Sequence, residues 1–486
     1  MIARLARWFD DRLAASNFVR DKLNKVFPEH FSFMFGELAL YSFVILVVTG
    51  IFMALFFNTS LSKTVYEGAY EPLRGVQVSQ AYASVLRLSF EVRAGMVMRQ
   101  IHHWAALLFM ASIVLHLCRI FFTGAFRRPR EINWVIGVTL LALGMFNGFS
   151  GYSLPDDLLS GTGLRIAHAI VQSIPVIGAW ATFLIFGGEY PATEIISRLY
   201  TMHIFLVPGI IVALISIHLA LVVRQKHTQF PGPGRRDDNV VGVRLWPTYT
   251  ALSIGLFFLV SALLAGLGGL VQINPVWLWG PYEPSAVTIA AQPDWYVGWV
   301  EGALRLFPPW EIRAFGYMVP NPFFPAALLP GLTFVALYAW PFLEARVTGD
   351  YDEHHLLDRP RDRPVRTALG VVVLTFYGIL LLAGANDVIA TELGLPIIPF
   401  VYFLRGAVLV LPVLAGLTTW KICRDLAGRS SLEAAREELA ARTEAAAEAE
   451  EAEEEPAREP AEASQAESEQ PDAATAGRSG SGSGEA

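Results

Sequence analysis

The chain has 486 residues, 53% of them hydrophobic and only 17% charged, with a mean hydropathy of +0.43. Soluble domains carry about 25% charged residues, so the composition points to a membrane protein. The formal net charge of -7 is concentrated in a tail: from Arg424 onward there are 17 acidic and 6 basic residues, so the body before it is mildly basic and no nucleic-acid partner is indicated. The two cysteines, Cys118 and Cys423, stand alone. That excludes a disulfide scaffold, a Cys-rich zinc or iron–sulfur site and covalent haem attachment through C-x-x-C-H.

In chain order, residues 1–31 read as a charged, amphipathic N-terminal segment, without the apolar run of a cleavable signal peptide. A helix crossing hydrocarbon needs about 20 mostly apolar residues. Eight such stretches are predicted, at 32–57, 95–122, 134–154, 197–223, 247–271, 322–344, 367–385 and 398–420. The connections 58–94, 155–196 and 272–321 are too long for turns and should hold short elements of their own. Placing the N-terminus in the cytoplasm puts 23 Lys and Arg on inner segments and 8 on outer ones. That asymmetry predicts a multi-pass protein with both termini cytoplasmic. The fold class expected is an all-α membrane protein, with a four-helix domain at 32–224 and a second four-helix domain at 225–423. Residues 424–486, Glu/Ala-rich and then Pro/Ser/Gly-rich, should be a disordered cytoplasmic tail, with a helical start at Leu432–Leu439.

The second and fourth spans carry histidines, His102 and His116 in one, His203 and His218 in the other. At about 100° per residue, spacings of 14 and 15 leave offsets of roughly -40° and +60°, so each pair shares a helix face. Each pair is separated by about 21 Å along its axis. Two such helices facing each other make two stacked imidazole pairs, which suits two bis-histidine haems. A lone intramembrane histidine is as often a satisfied hydrogen-bonding group, and His103, turned about 100° from His102, is read that way. Two matched pairs are harder to dismiss, because ionisable groups in a membrane are costly.

Glycines repeat the period: Gly36 and Gly50 in the first span, Gly137 and Gly151 in the third, each 14 apart. A single pair would be a packing notch, but the shared period marks places where a flat macrocycle could approach backbone. Arg99, Arg119 and Arg198 lie near the histidines toward the membrane surfaces, where haem propionates need cations, although ordinary snorkelling would look the same. After the fifth span, Pro293-Asp294-Trp295-Tyr296 offers an acid beside aromatics. Tyr152-Ser153-Leu154-Pro155-Asp156-Asp157 closes the third span and leads to Ser160-Gly161-Thr162-Gly163. Both segments fall on the outer side, where a quinol pocket is chemically sensible.

Together the paired histidines, the paired glycines and the Pro-Asp-Trp-Tyr loop resemble cytochrome b of the quinol–cytochrome c oxidoreductases, over about residues 30 to 420. Residues 155–163 are most similar to the actinobacterial branch, which implies menaquinol as electron donor. The resemblance implies two haem b groups: an outer, low-potential one on His102 and His203 and an inner, high-potential one on His116 and His218. Arg99, Arg119 and Arg198 fall where the family has propionate partners. It further implies outer quinol oxidation with Asp294 as proton acceptor and Tyr296 beside it, Pro293, Trp295 and Gly163 lining that pocket. The electrons would divide between a Rieske iron–sulfur protein and the haems, with quinone reduced at an inner site for which Lys226 and His227 are the candidates. The implied setting is a bacterial cell membrane, in a complex with a Rieske subunit and a cytochrome c subunit, as a homodimer and in a supercomplex with a terminal oxidase.

The chain departs from the family where the loop has Asp294 instead of Glu, one methylene shorter, and in its 15-residue second histidine spacing, which is like the plastid-type branch. Two other readings fit the histidines alone. A di-haem anchor for a dehydrogenase would need neither spans five to eight nor the Pro-Asp-Trp-Tyr loop, and a His-relay transporter would show no b-type spectrum.

Overall fold

The computed structural model describes residues 23–286, 292–314 and 316–454, together with 4, 8, 10–12 and 20. Among the described residues, eight helices are long and apolar enough to cross a membrane, and strands are confined to three short two-stranded pairings. The all-α membrane fold read from the sequence is what the chain adopts.

The spans are Phe31–Ala54, Gly95–Phe122, Glu131–Tyr152, Ile195–Arg224, Leu245–Leu270, Phe324–Thr348, Pro364–Gly384 and Ile397–Gly428. Their cores are α1 (Met34–Ala54), α3 (Gly95–Phe122), α4 (Glu131–Tyr152), α7 (Val207–Arg224), α8 (Thr250–Leu270), α11 (Leu329–Thr348), α12 (Pro364–Gly384) and α14 (Ile397–Glu454). The long connections hold α2 (Gln80–Phe90), α5 (Leu158–Gln172), α6 (Gly178–Phe186), α9 (Val276–Trp279) and α10 (Trp295–Leu306), and the short link between the last two spans holds α13 (Asn386–Glu392). Ends are set by local chemistry. Ser79 caps α2 by accepting from the Tyr82 amide, and Asp157 caps α5 by accepting from the Leu159 amide. Burial pushes the Asp157 carboxyl up to about 6, against the pull of its Ser160 and backbone hydrogen bonds.

The fourth span begins with a helical turn at Ile195–Thr201, passes through a π turn at Met202–Leu206 and continues as α7. A π turn takes up one residue beyond the α-helical period. A wider turn rotates less per residue, which is the direction that compensates for the longer spacing between His203 and His218.

One core cluster fixes the bundle. Phe43 of α1, Phe109 and Met110 of α3, Leu141 of α4, and Val207 and Ile211 of α7 pack together, with Tyr296 of α10 beside them. In each span these residues lie between the two residues of the 14- or 15-residue repeat, so the cluster is an apolar floor between two levels. The second half is held by α10, α12 and α14 through Ala303, Leu306, Leu380, Ala383 and Leu404. At Gly302 a Cβ would overlap the Leu380 carbonyl oxygen, and at Gly384 it would overlap that of Gly298. Small residues bring α10 and α12 into backbone contact there.

Met1–Asp425 form one compact unit, within which the halves expected at 32–224 and 225–423 pack together. The second unit is Leu426–Ala486. Its helix runs to Glu454, beyond the expected Leu432–Leu439 start, as its Ala, Glu and Arg content favours. The remainder of the expected disordered tail, 455–486, lies outside the described residues, as does most of 1–22.

Candidate functional site

The two histidine pairs meet. The rings of His102 and His203 have centroids 6.2 Å apart at 69°, and those of His116 and His218 are 6.4 Å apart at 70°. We call these the first and second tiers. Each lines a cavity, of about 480 Å³ at the first tier and about 490 Å³ at the second.

An iron between two imidazoles fits these distances. With a metal–nitrogen bond of about 2.0 Å and roughly 1.1 Å from nitrogen to ring centre, two axial rings sit about 6.2 Å apart. At the first tier the Nδ1 atoms are already engaged, His102 with Thr49 Oγ1 at 2.9 Å and His203 with the Asn147 carbonyl at 2.9 Å. That leaves each Nε2 for a metal, the arrangement in which the second nitrogen orients the ligand. Every glycine of the 14-residue pairs faces one of the four rings. A Cβ on Gly36 would lie 3.3 Å from His116 Cε1, on Gly50 3.3 Å from His102 Cε1, on Gly137 3.8 Å from His218 Cε1, and on Gly151 it would overlap His203. Buried cations wait at both levels. Arg99 Nε, and Arg119 Nε and Nη2, are buried without a hydrogen-bond partner among the described residues, and both side chains line the cavities. Unpaired buried guanidinium nitrogens are costly, and haem propionates are groups that would satisfy them.

The Pro-Asp-Trp-Tyr loop reaches the first-tier cavity through Asp294 and Tyr296. Asp294 stands at the N-cap of α10 but makes no side-chain cap bond. Its carboxylate is spent elsewhere: Oδ1 is 2.8 Å from His103 Nε2, and Oδ2 accepts from the Tyr296 hydroxyl at 3.0 Å. Room for that hydroxyl comes from Gly148, where a Cβ would overlap it. Tyr152 and Pro155 line the same cavity, so the end of the third span and the 293–296 loop do converge.

Not every expected residue arrives. Arg198 donates to the Phe183 and Leu184 carbonyls (3.1 and 2.7 Å) at the C-terminal end of α6 and is absent from the cavity lining. A cation there meets the negative end of a helix dipole, which competes with any propionate role. Gly163 packs on Tyr152, where a Cβ would lie 3.6 Å away, Trp295 is 37% exposed beside Tyr296, and neither these nor Pro293 line the cavity. Lys226 and His227 do line the second-tier cavity. His103 is a satisfied hydrogen-bonding histidine, as expected, but its partner is the candidate acid. Sequence reading missed Glu37, which lines the second-tier cavity next to Gly36. The available signal was an acid inside an apolar span.

Comparison with known proteins decides the family. A family model described as cytochrome b (N-terminal)/b6/petB matches residues 107–281. The cytochrome bc1 complex cytochrome b subunit of Mycobacterium tuberculosis is 53% identical over 436 residues, covering 89% of this chain and 79% of that protein. The chain belongs to the cytochrome b family of bc1-type respiratory complexes. Its counterparts in Streptomyces coelicolor and Corynebacterium diphtheriae are each 50% identical, covering 88% and 87% of this chain and 78% of each relative. A solved structure titled "Hyperthermophilic respiratory Complex III" shares the fold with a TM-score of 0.64, at 20% identity, over 85% of this chain and 99% of that one. As a cytochrome b, this multi-pass membrane chain is an electron-transport subunit whose cofactor class is haem b.

Proposed function

We propose that this cytochrome b binds two haems, one per tier, and oxidises a quinol beside the first tier while reducing a quinone beside the second. The observation that carries the reading is the pair of imidazole separations, 6.2 and 6.4 Å, each backed by its own glycines. His102 with His203 and His116 with His218 would hold the two irons, and Arg99 and Arg119 would meet the propionates. The chemistry the haems supply when bound is one-electron conduction: of the two electrons a quinol releases, one leaves to a Rieske iron–sulfur partner and the other passes inward to a quinone. With two histidines on each iron, a bound haem would serve electron transfer and would keep no open position for oxygen.

The residues at the first tier handle the protons. Asp294 faces the cavity with its carboxylate held between His103 and Tyr296, in place to accept a quinol hydroxyl proton. The hold from α3 compensates for the short aspartate side chain by fixing where its oxygens point. Tyr152 and Pro155 close the opposite wall. The similarity to actinobacterial relatives supports menaquinol as the donor. The Lys and Arg excess on one side supports cytoplasmic termini, with the first tier outside. The relatives' naming as bc1-complex subunits supports a multisubunit complex, in which this reading places a Rieske subunit, a cytochrome c subunit and a second copy of the chain.

The test is haem quantitation with a reductive titration of the purified complex. Two haem b per chain with separate midpoint potentials are expected, His116→Ala removing one component and His102→Ala the other. One haem per chain, or single variants that keep both components, would overturn the ligand assignment.

A further inference from the structure

The two tiers are built on one repeat, and the repeat breaks at one position. On α4 it holds. The Asn147 carbonyl takes the Nδ1 of His203 at 2.9 Å, and 14 residues earlier the Asn133 backbone stands toward His218. On α1 it fails. Gly50, which faces His102, is preceded by Thr49, whereas Gly36, which faces His116, is preceded by Phe35. Corresponding places on one helix carry a hydroxyl at the first tier and a hydrocarbon ring at the second.

Thr49 is buried, and the direction of its hydrogen bonds follows from its neighbours. Its Oγ1 lies 2.7 Å from the Ile45 carbonyl, 3.3 Å from that of Leu46 and 2.9 Å from His102 Nδ1. A hydroxyl has one hydrogen to give and two lone pairs to offer. Carbonyls only accept, so that hydrogen is spent inside α1. The bond to the ring therefore runs the other way: His102 Nδ1–H donates and Thr49 Oγ1 accepts. The Leu46 backbone reinforces the same tautomer. His116 Nδ1, by contrast, is buried with no hydrogen-bond partner among the described residues. Cationic charge does not separate the tiers in this way, since each has one buried arginine with unpaired nitrogens, Arg99 at the first and Arg119 at the second.

A histidine that gives its second N–H to an acceptor is a more basic ligand. A more basic ligand favours the oxidised, more positive iron over the reduced one. We propose that Thr49 sets the redox poise of the first tier: by accepting from His102 it makes that iron harder to reduce, and Phe35 withholds the effect from the second tier. This rests on the di-haem reading. The order of potentials is what the family resemblance implies; the inference is the residue that produces it. The step governed is the gain of one electron by the iron, with no proton taken up and no bond made or broken. An electron arriving at the first tier then runs downhill to the second.

The experiment is an anaerobic optical redox titration of the purified complex, the tiers being told apart by the components that His102→Ala and His116→Ala remove. Thr49→Val keeps the branched shape and deletes the acceptor. It should raise the first-tier midpoint by about a tenfold change in the reduction equilibrium, the scale of one hydrogen bond, or about 59 mV for one electron. The second-tier midpoint should stay in place. Thr49→Ser, which restores the hydroxyl, should lie close to wild type. Should Thr49→Val lose its haem, Phe35→Thr makes the test from the other side, by lowering the second-tier midpoint alone. An unmoved midpoint at the altered tier, or equal movement of both, would overturn the proposal. Absence of two b-type components in the unmodified complex would overturn the di-haem reading and this proposal with it.

Discussion

At the scale of single residues, the chain's functional economy is clearest at Asp294. A carboxylate at a helix N-terminus ordinarily caps it, yet this one leaves the amides of α10 and turns to His103 and Tyr296. Replacing it with Asn should keep both haem components while lowering quinol oxidation by on the order of a hundredfold, measured as quinol-driven haem reduction. His103→Asn, which keeps a hydrogen-bond donor, should retain more of that activity than His103→Ala; equal losses in the two would contradict a positioning role. The carboxyl itself was legible from its loop motif. Its partner was not, because His103 is 191 residues away in the chain and its position next to a ligand suggested only that it faces elsewhere. Arg198 shows the converse. Its place near His203 suggested a propionate, but the carbonyls it satisfies belong to a neighbouring short helix that spacing does not reveal.

Glycines carry a prediction of the same kind. A methyl at Gly151 would overlap the His203 ring, whereas at Gly137 it would rest 3.8 Å from His218. Gly151→Ala should therefore eliminate the first-tier haem signal, and Gly137→Ala should leave most of the second-tier signal. The reverse order in a spectral comparison would refute the pairing of glycine with histidine drawn here.

At the scale of elements, the eight spans were legible because each is a long apolar run; their ends lie within four residues of the predicted ones except at the last, which reaches Gly428 where 420 was predicted. The π turn was not. Spacing alone leaves His203 and His218 about 100° out of step with the other pair, and the widened turn at Met202–Leu206 changes the rotation in the direction that reduces the mismatch. Deleting Phe205, within that turn, should return a regular helix and preserve both haem components. Deleting Ala213, in the regular part of α7, should rotate His218 by about 100° relative to His203 and eliminate the second-tier component alone. Equal effects of the two deletions, read from difference spectra, would contradict this account of the fourth span. Likewise, the close approach of α10 and α12 at Gly302 and Gly384 had no signature beyond two small residues, since the partner backbone is supplied by a distant segment.

At the scale of the whole molecule, one apolar floor divides two cavities that differ in their polar equipment. The first offers an aspartate held by a histidine and a tyrosine; the second offers a hydroxyl-bound glutamate and a buried neutral histidine. On the proposed reading, with one haem per tier, opposed proton chemistry on the two levels would let one subunit release protons on one side and take them up on the other. All of this lies within Met1–Asp425, so removing residues 455–486 should leave haem content and quinol oxidation unchanged in the assembled complex. The most direct test of the central claim is an experimental density map of the purified complex. The account predicts two flat macrocycles, one between His102 and His203 and one between His116 and His218, each with its iron within coordinating distance of both imidazoles. Density for a macrocycle anywhere else, or histidine rings turned apart with apolar side chains between them, would contradict it.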